Sequence, residues 1–375
     1  MKRGGLRHAG VDLLKVLAAQ CIVLHHFAWF GPTWGLSPGV AGEVYDALAE
    51  HARIAVQVFL VAGGFLAAQA IDGWRAAPLK AIVQRHLRLV APMAALLIVA
   101  MLAAAVARPL LPAGVAPEPP TWAGVAAHLL LLQDVLGHPS LSTGLWYIAI
   151  DFQLSALLIG LVWLMRQQRP AREPGLSHGQ GLPYRQRWQT ALLALAVLGL
   201  AAASLLHFNR DPDHDIWAPY FFGAYALGVA AAWSRDPRWS GWPLWAMIVI
   251  ACVALFIEWR TRIAVALAVA LLLAAWPAAT RLDRAAWLSR LSRTSYALFL
   301  VHFPVFLLVA AAFARWWPGA DGGGAVRIAI AWGASMIAAH LFERFVERPL
   351  VARSGRRAQA GSGFERPQTG RASNG

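Results

Sequence analysis

The composition places this chain in a membrane rather than in water. Of its 375 residues, 58% are hydrophobic and 14% are charged, whereas charged residues make up about a quarter of a soluble domain. The formal net charge is +14, but no basic stripe with interleaved aromatic residues marks a nucleic-acid surface, so we predict contact with anionic lipid and no nucleic acid. The two cysteines, Cys21 and Cys252, both lie in apolar runs, which argues against a disulfide framework.

The apolar residues fall in blocks about as long as a helix that crosses a bilayer. We predict an all-α polytopic protein with ten transmembrane helices, their ends marked by Pro, Gly and Trp. A short interfacial helix is predicted at 122–136. The ten predicted spans are 11–30, 54–71, 89–107, 144–165, 189–207, 217–233, 244–259, 262–279, 295–314 and 325–343.

The distribution of cations predicts that both termini are cytoplasmic. With the N-terminus inside, the inner segments hold 25 Lys and Arg residues and the outer segments hold 6, in agreement with the positive-inside rule. The weakest part is the hairpin 244–279, whose turn EWRTR is basic on the outer side. We therefore expect a basic N-terminal tail at 1–10, retained because no cleavage site follows the first span, a membrane domain at 11–349 and a disordered polar tail at 350–375.

The first predicted span carries unusual charges. Lys15 and His26 are eleven residues apart, which brings them within about 20° of each other around a helix and about 16 Å apart along it. Asp12 lies three residues before Lys15 on the same face, while His25 points about 80° away. Asp12 and Lys15 would pair and reach the inner surface in the simpler interpretation, and His26 would be a packed core histidine. In the functional interpretation this stripe lines a polar cavity, because ionisable groups at depth usually mark a pathway or a site.

Six motifs in this order resemble those of the family-3 membrane acyltransferases, a bacterial group that O-acylates surface glycans. They are Asp12, Lys15 and His26 in the first span; VFLVAGGFLAA at 58–68, with Gly63 where Ser is usual; RHLRLVAP at 85–92; LWYIAIDFQ at 145–153, with Asp151 where Glu is usual; SYALFLVHFPV at 295–305; and FVERPL at 345–350. The resemblance covers most of the membrane portion, and the length suggests the short form without an added C-terminal domain.

The resemblance implies a donor and a catalytic residue. Arg85 and Arg88 match an Arg pair thought to hold the phosphates of acyl-CoA, and two guanidiniums suit phosphate oxygens, although their position alone also fits positive-inside anchoring. His26 would act either as the general base or as a transient acyl acceptor. Lys15 would attract an anion into the cavity or pair with Asp12.

The remaining matched residues have several open interpretations. Asp151 could orient His26, bind the acceptor, or form a structural pair with Lys15 or Arg327. Trp146 and Gln153 could shape the acceptor side, although Trp at this depth also forms the interfacial belt. Tyr296 and His302 are secondary candidates, since a lone His in such a helix is more often packed. We expect Glu343 and Glu347 to pair structurally beside Arg344 and Arg348, and we predict no metal site.

Two functions follow. The first is an acyltransferase of the bacterial inner membrane that moves an acyl group, with acetyl as the leading candidate, from cytosolic acyl-CoA to a hydroxyl of a glycan or lipid-linked sugar. The alternative is a transporter or flippase for a polyprenyl-linked or acyl substrate, with Asp12, Lys15 and His26 as a coupling relay. Transporters often show paired halves with broken helices, and no such pairing is visible, so the enzyme is preferred.

Overall fold

The structure is a computed structural model that describes residues 8–30, 40–167, 181–239, 241–277, 279–318 and 324–352. Most of both predicted tails lies outside these described residues. Helices account for nearly all of the regular structure within them, and no strand occurs in these ranges. The helices are α1 (Ala9–Trp29), α2 (Val40–His51), α3 (Val56–Ala76), α4 (Pro78–Ala107), α5 (Trp122–Leu129), α6 (Leu145–Gln167), α7 (Gly181–Leu206), α8 (Ala218–Trp233), α9 (Trp242–Ile257), α10 (Thr261–Ala275), α11 (Ala286–Trp316) and α12 (Gly324–Phe342).

Each of the ten predicted spans coincides with a helix, but only seven helical segments of the described chain are long and apolar enough to cross a membrane. The helices α8, α9 and α10 have 16, 16 and 15 residues, so each is about 24 Å long or less, against about 30 Å of hydrocarbon. The seven long apolar segments identify the chain as a multi-pass membrane protein. Ten spans, and the cytoplasmic side of the two termini, stay predictions.

The boundaries differ from the prediction in two places that affect the site. Helix α4 begins at Pro78 rather than near residue 89, because Pro is favourable at a helix start and the polar residues that follow it are good helix formers. Arg85 and Arg88, which the sequence places at the inner end of this helix, therefore lie about two and three turns inside α4. Helix α2 was not predicted, and the interfacial helix predicted at 122–136 ends at Leu129.

The helices form two packed groups that share α6. One group surrounds α8, in which every residue except Pro219 is buried, as expected of a helix that is apolar on all faces. Its contact with α3 is very close, since a Cβ on Gly64 would lie 1.9 Å from the Tyr225 carbonyl oxygen and one on Gly228 would lie 1.9 Å from that of Val61. The other group packs α1, α4 and α12 around α11. The candidate residues lie where the two groups meet.

Candidate functional site

His26 makes a direct contact with the second matched histidine. Its Nδ1 atom lies 2.7 Å from Nε2 of His302, and the two rings are nearly parallel, with an interplanar angle of 7°. His302 is fully buried in α11, and its Nδ1 lies 3.2 Å from the Leu298 carbonyl oxygen. His302 is therefore a packed, hydrogen-bonded histidine, and its partner is the candidate catalytic residue.

These contacts determine the tautomers of the two neutral rings. A carbonyl oxygen only accepts, so Nδ1 of His302 carries the proton and donates to Leu298. Nε2 of His302 then has the lone pair, and Nδ1 of His26 must donate to it. The arrangement leaves Nε2 of His26 with a free lone pair, which is what a general base or a nucleophile needs.

A cavity of about 1000 Å³ reaches His26. We call it the histidine cavity. Its wall comes from α1, α2, α3, α6, α8, α10 and α11 and from the loops that the charge pattern predicts to be outside. Four arginines and four acids line it together with aromatic rings, namely Arg53, Arg210, Arg260, Arg262, Glu50, Asp134, Asp215, Glu258, Trp146, Tyr147, Tyr220, Phe221 and Phe299. Such a mixture of donors, acceptors and ring faces suits a polar organic ligand such as a sugar.

One side of this cavity is held in place by a buried histidine. His128 is fully buried, with Nδ1 2.8 Å from the Gly124 carbonyl oxygen, while Nε2 accepts from the Leu141 N–H at 3.2 Å. Burial lowers the pKa of His128, which agrees with a neutral ring. Nearby Asp134 accepts from Gln133 Nε2 at 2.9 Å, and burial raises the pKa of that carboxyl. Polar side-chain contacts therefore hold the segment 121–145 in place, although only a short part of it is helical.

The other end of the stripe on α1 is ionic. Ser292 Oγ donates to Asp12 Oδ1 at 2.6 Å. Lys15 lies within electrostatic range of Asp12, Arg88 and Glu347, as well as Asp151. We call Asp12, Lys15, Arg88 and Glu347 the Lys15 cluster. None of its members lines the histidine cavity, so the stripe joins two chemically different places.

Asp151 pairs with a residue that the sequence analysis assigned elsewhere. Arg85 Nη2 donates to Asp151 Oδ2 at 2.6 Å, with side chains 32% and 12% exposed. The pair joins α4 to α6, and the partners suggested for Asp151 were Lys15 or Arg327. Arg88 is exposed on the same helix as Arg85. The structure therefore does not present the two guanidiniums as one open fork.

Several other candidates have structural contacts. Gln153 Oε1 accepts from the Ala218 N–H at the start of α8, and the Tyr296 hydroxyl donates to the Leu89 carbonyl oxygen at 3.1 Å. Trp146 does line the cavity, 5.7 Å from the Phe221 ring. His25 also lines it, yet it is buried with Nδ1 3.2 Å from the Leu48 carbonyl oxygen. His25 is thus part of the packing of α1 against α2.

The sequence analysis missed the surroundings of Glu347 and a group of cavity residues. Glu347 ends a π-helical turn, Glu343–Glu347, and its Oε2 atom is buried without a hydrogen-bond partner among the described residues. The charges near it are those of Glu343, Arg88 and Lys15. Glu343 lies 3.9 Å from Arg293. The missed group is the set of cavity arginines. The basic outer turn EWRTR was the signal for it, since cations on that side need a reason.

The comparisons with known proteins agree with the geometry. The sequence profile of a family described as an acyltransferase domain (Acyl_transf_3) matches residues 8–342. Neither the curated proteins nor the solved structures provide a match. The profile covers nearly the whole chain and all the helices described above, and the chain therefore belongs to the family-3 acyltransferases.

Proposed function

We propose that this membrane acyltransferase moves an acyl group, with acetyl as the leading candidate, from cytosolic acyl-CoA to a hydroxyl of a glycan or lipid-linked sugar in the bacterial inner membrane. The single observation that carries the proposal is the His26–His302 pair beside a polar cavity. The transporter alternative is set aside, because the family is one of acyltransferases.

The acceptor would bind in the histidine cavity. Its hydroxyl would give its proton to Nε2 of His26 while its oxygen attacks the thioester carbonyl carbon. The C–S bond then breaks, the CoA thiolate leaves, and the proton passes from His26 to the thiolate. If His26 instead accepts the acyl group first, Nε2 attacks the thioester and the hydroxyl attacks the acyl-imidazole, so the same nitrogen serves both routes.

His302 would act as a positioning residue. Its hydrogen bond fixes the tautomer of His26 and the orientation of the ring, as an orienting partner does for a catalytic histidine in general. It does not need to touch the substrate.

The donor would bind toward the opposite end of α1. Arg88 is exposed there, and a phosphate of CoA could contact it directly. Arg85 would join it only by exchanging Asp151 for a phosphate oxygen. Lys15, about 16 Å along the helix from His26, belongs to this ionic end and would attract the anionic donor or stabilise Asp151 when that exchange occurs.

The proposal is tested by thiol release from acetyl-CoA with the protein purified in detergent. His26→Ala should lower the rate by about 10²-fold or more, because positioned general bases contribute about 10²–10⁴-fold. The matched control is His340→Ala, since His340 is exposed on α12 and away from the cavity. Full activity of a folded His26→Ala protein would overturn the assignment.

A further inference from the structure

Cations on the outer side of a membrane protein are sparse, and here most of them gather in one place. The segments predicted to be outside hold six arginines. Four of them, Arg53, Arg210, Arg260 and Arg262, line the histidine cavity. The positive-inside rule disfavours such charges, so a local use for them is expected.

The acids of the cavity do not neutralise all four. Glu258 is shared, since its Oε2 atom lies 3.2 Å from Arg210 and its Oε1 atom 3.8 Å from Arg260. Within the described residues, neither Arg53 nor Arg262 has a carboxylate within 4.0 Å. The guanidiniums of Arg53 and Arg262 can therefore form ion pairs with a bound ligand.

Arg262 is held in a defined orientation. Its Nη1 donates to the Tyr220 hydroxyl, its Nη2 donates to the Asn209 carbonyl oxygen at 2.7 Å, and the guanidinium lies 5.0 Å from the centre of the Tyr220 ring. These bonds use two of its five N–H groups. Beside it Arg260 is only 9% exposed, and its Nε is buried without a hydrogen-bond partner. This wall is pre-ordered, which lowers the entropic cost of binding.

Arg53 lines the same cavity from the short 3-10 turn Ala52–Ala55 that precedes α3. It lies one helical turn before Gln57, and Gln57 borders a small void together with Arg262 and Tyr220. Aromatic rings continue the wall toward His26, with Tyr147 5.7 Å from Phe299 and Trp146 5.7 Å from Phe221. A sugar ring could pack on these faces while a charged substituent reaches the arginines.

We propose that Arg53 and Arg262 bind an anionic group carried by the acceptor, so that the acceptor is an acidic carbohydrate, with a phosphate or a carboxylate close to the acylated sugar. Guanidinium binds both groups through paired, charge-assisted hydrogen bonds. This inference rests on the proposed function for the role of the ligand, but the binding it describes does not require any acyl donor.

The experiment measures binding by equilibrium dialysis without acyl-CoA. The probes are methyl β-glucoside, methyl β-glucuronide and glucose 1-phosphate, the first two of which differ only in a CH₂OH or a carboxylate. At least one acidic probe should bind about tenfold more tightly than the glucoside, as hydrogen bonds to charged groups imply. Which acidic probe binds better distinguishes a carboxylate-bearing sugar from a phosphate-bearing one.

The variants are Arg53→Gln and Arg262→Gln, with Arg315→Gln as the matched control, because Arg315 is an exposed arginine of the same predicted side that does not line the cavity. Arg53 is exposed and has no hydrogen bond among the described residues, so its replacement should leave the fold intact. The preference for the acidic probe should fall to about twofold or less in Arg53→Gln and persist in Arg315→Gln.

Equal or absent binding of all probes to the wild-type protein, or an unchanged preference in both cavity variants, would overturn the inference. Thiol release from acetyl-CoA, measured in the same preparations, separates this failure from failure of the proposed function. Acyl-CoA turnover without acid preference would reject only the anion site, and acid preference without turnover would reject only the enzymatic assignment.

Discussion

The two ends of the polar stripe on α1 handle charge in opposite ways. At the Lys15 cluster and the neighbouring Arg85–Asp151 pair, cations and carboxylates meet inside the helix bundle, where the pair distance is 2.6 Å. At His26 the partner is the uncharged ring of buried His302, and the charged side chains lie around the wall of the cavity. The end with the Lys15 cluster contains paired charges, whereas the His26 end contains a neutral base.

The difference shows how a membrane helix can carry both kinds of group. Charges at depth are tolerated when they are paired or face polar space, and the ionic end meets that condition through its own side chains. A base must keep a lone pair, which close carboxylates or cations would perturb. At the ionic end the charges come from α1 itself, α4, α6 and the π-helical turn after α12, whereas α11 supplies the histidine that faces His26.

The largest effect is expected from breaking the ion pair at the ionic end. Asp151→Asn leaves the Arg85 guanidinium, which is 32% exposed, without its counter-charge. Removing one partner should destabilise the protein by about 1–3 kcal/mol, less than for a fully buried pair because water still reaches Arg85. The thermal midpoint in detergent should fall, while binding of the acidic sugar probes should stay unchanged.

A double variant provides the control for that prediction. Arg85→Gln combined with Asp151→Asn replaces the ion pair by two neutral amides, and it should recover part of the stability lost in Asp151→Asn. Strictly additive losses in the two single variants and the double variant would contradict a direct pairing. If Arg85 also contacts the donor, the double variant should still have a raised KM for acetyl-CoA.

A smaller and more selective effect is expected at His302. His302→Leu removes the acceptor for Nδ1 of His26, while His302→Gln supplies a carbonyl oxygen that could replace it. We expect thiol release to fall about tenfold or more in the Leu variant and to recover partly in the Gln variant. The pH profile of kcat should change most in the Leu variant, since His26 then has no fixed tautomer.

Thermal stability separates this role from simple packing. A purely structural His302 would lose stability in both variants and would show no difference in pH profile between them. The Leu variant, being apolar in an apolar surrounding, should be at least as stable as the Gln variant. A more stable and fully active Leu variant would contradict the positioning role.

Much of the fold could be predicted from apolar length alone, because each block that fills a bilayer must satisfy its backbone as a helix. The start of α4 could not, since polar residues such as Arg85 extend the helix beyond its apolar part. Helix α2 was missed for a similar reason, since its VAGEVYDALAEH sequence is too short and polar for a span. Although α8 is short, it is not exposed, because neighbouring helices bury all of its residues except Pro219.

The arrangement of the site could be predicted only for residues that lie on the same helix. Helical geometry placed Asp12, Lys15 and His26 on one face, and the structure brings Lys15 near Asp12, Arg88 and Asp151. The His26–His302 bond joins residues 276 positions apart, which no periodicity can reveal. The pairing of Arg85 with Asp151 was also not predictable from spacing. The spacing of Arg85 and Arg88 suggested that both guanidiniums would face one ligand, but the partner of each side chain is determined by the neighbouring helices.

The smallest effect is expected in the loop wall of the histidine cavity, where pH should act through His128. Burial lowers the pKa of His128 in the folded protein, so near and below the ordinary value of about 6.5 the unfolded chain binds more protons than the folded one. Stability should therefore be present above pH 6.5 and decline as the pH falls through that value, by about 1 kcal/mol for the loss of one neutral hydrogen bond. Protonation of Nε2 removes the acceptor for the Leu141 N–H, so hydrogen exchange at that amide should accelerate on acidification from pH 8 to pH 5, after correction for intrinsic exchange.

The variant His128→Gln should show a weaker pH dependence of exchange at Leu141. Helix α8 contains no histidine, so the exchange of its amides should respond little to pH in either protein. An equal response of α8 and Leu141 would mean that acid opens the whole bundle, and the wall of the cavity would then not be a separately ordered part.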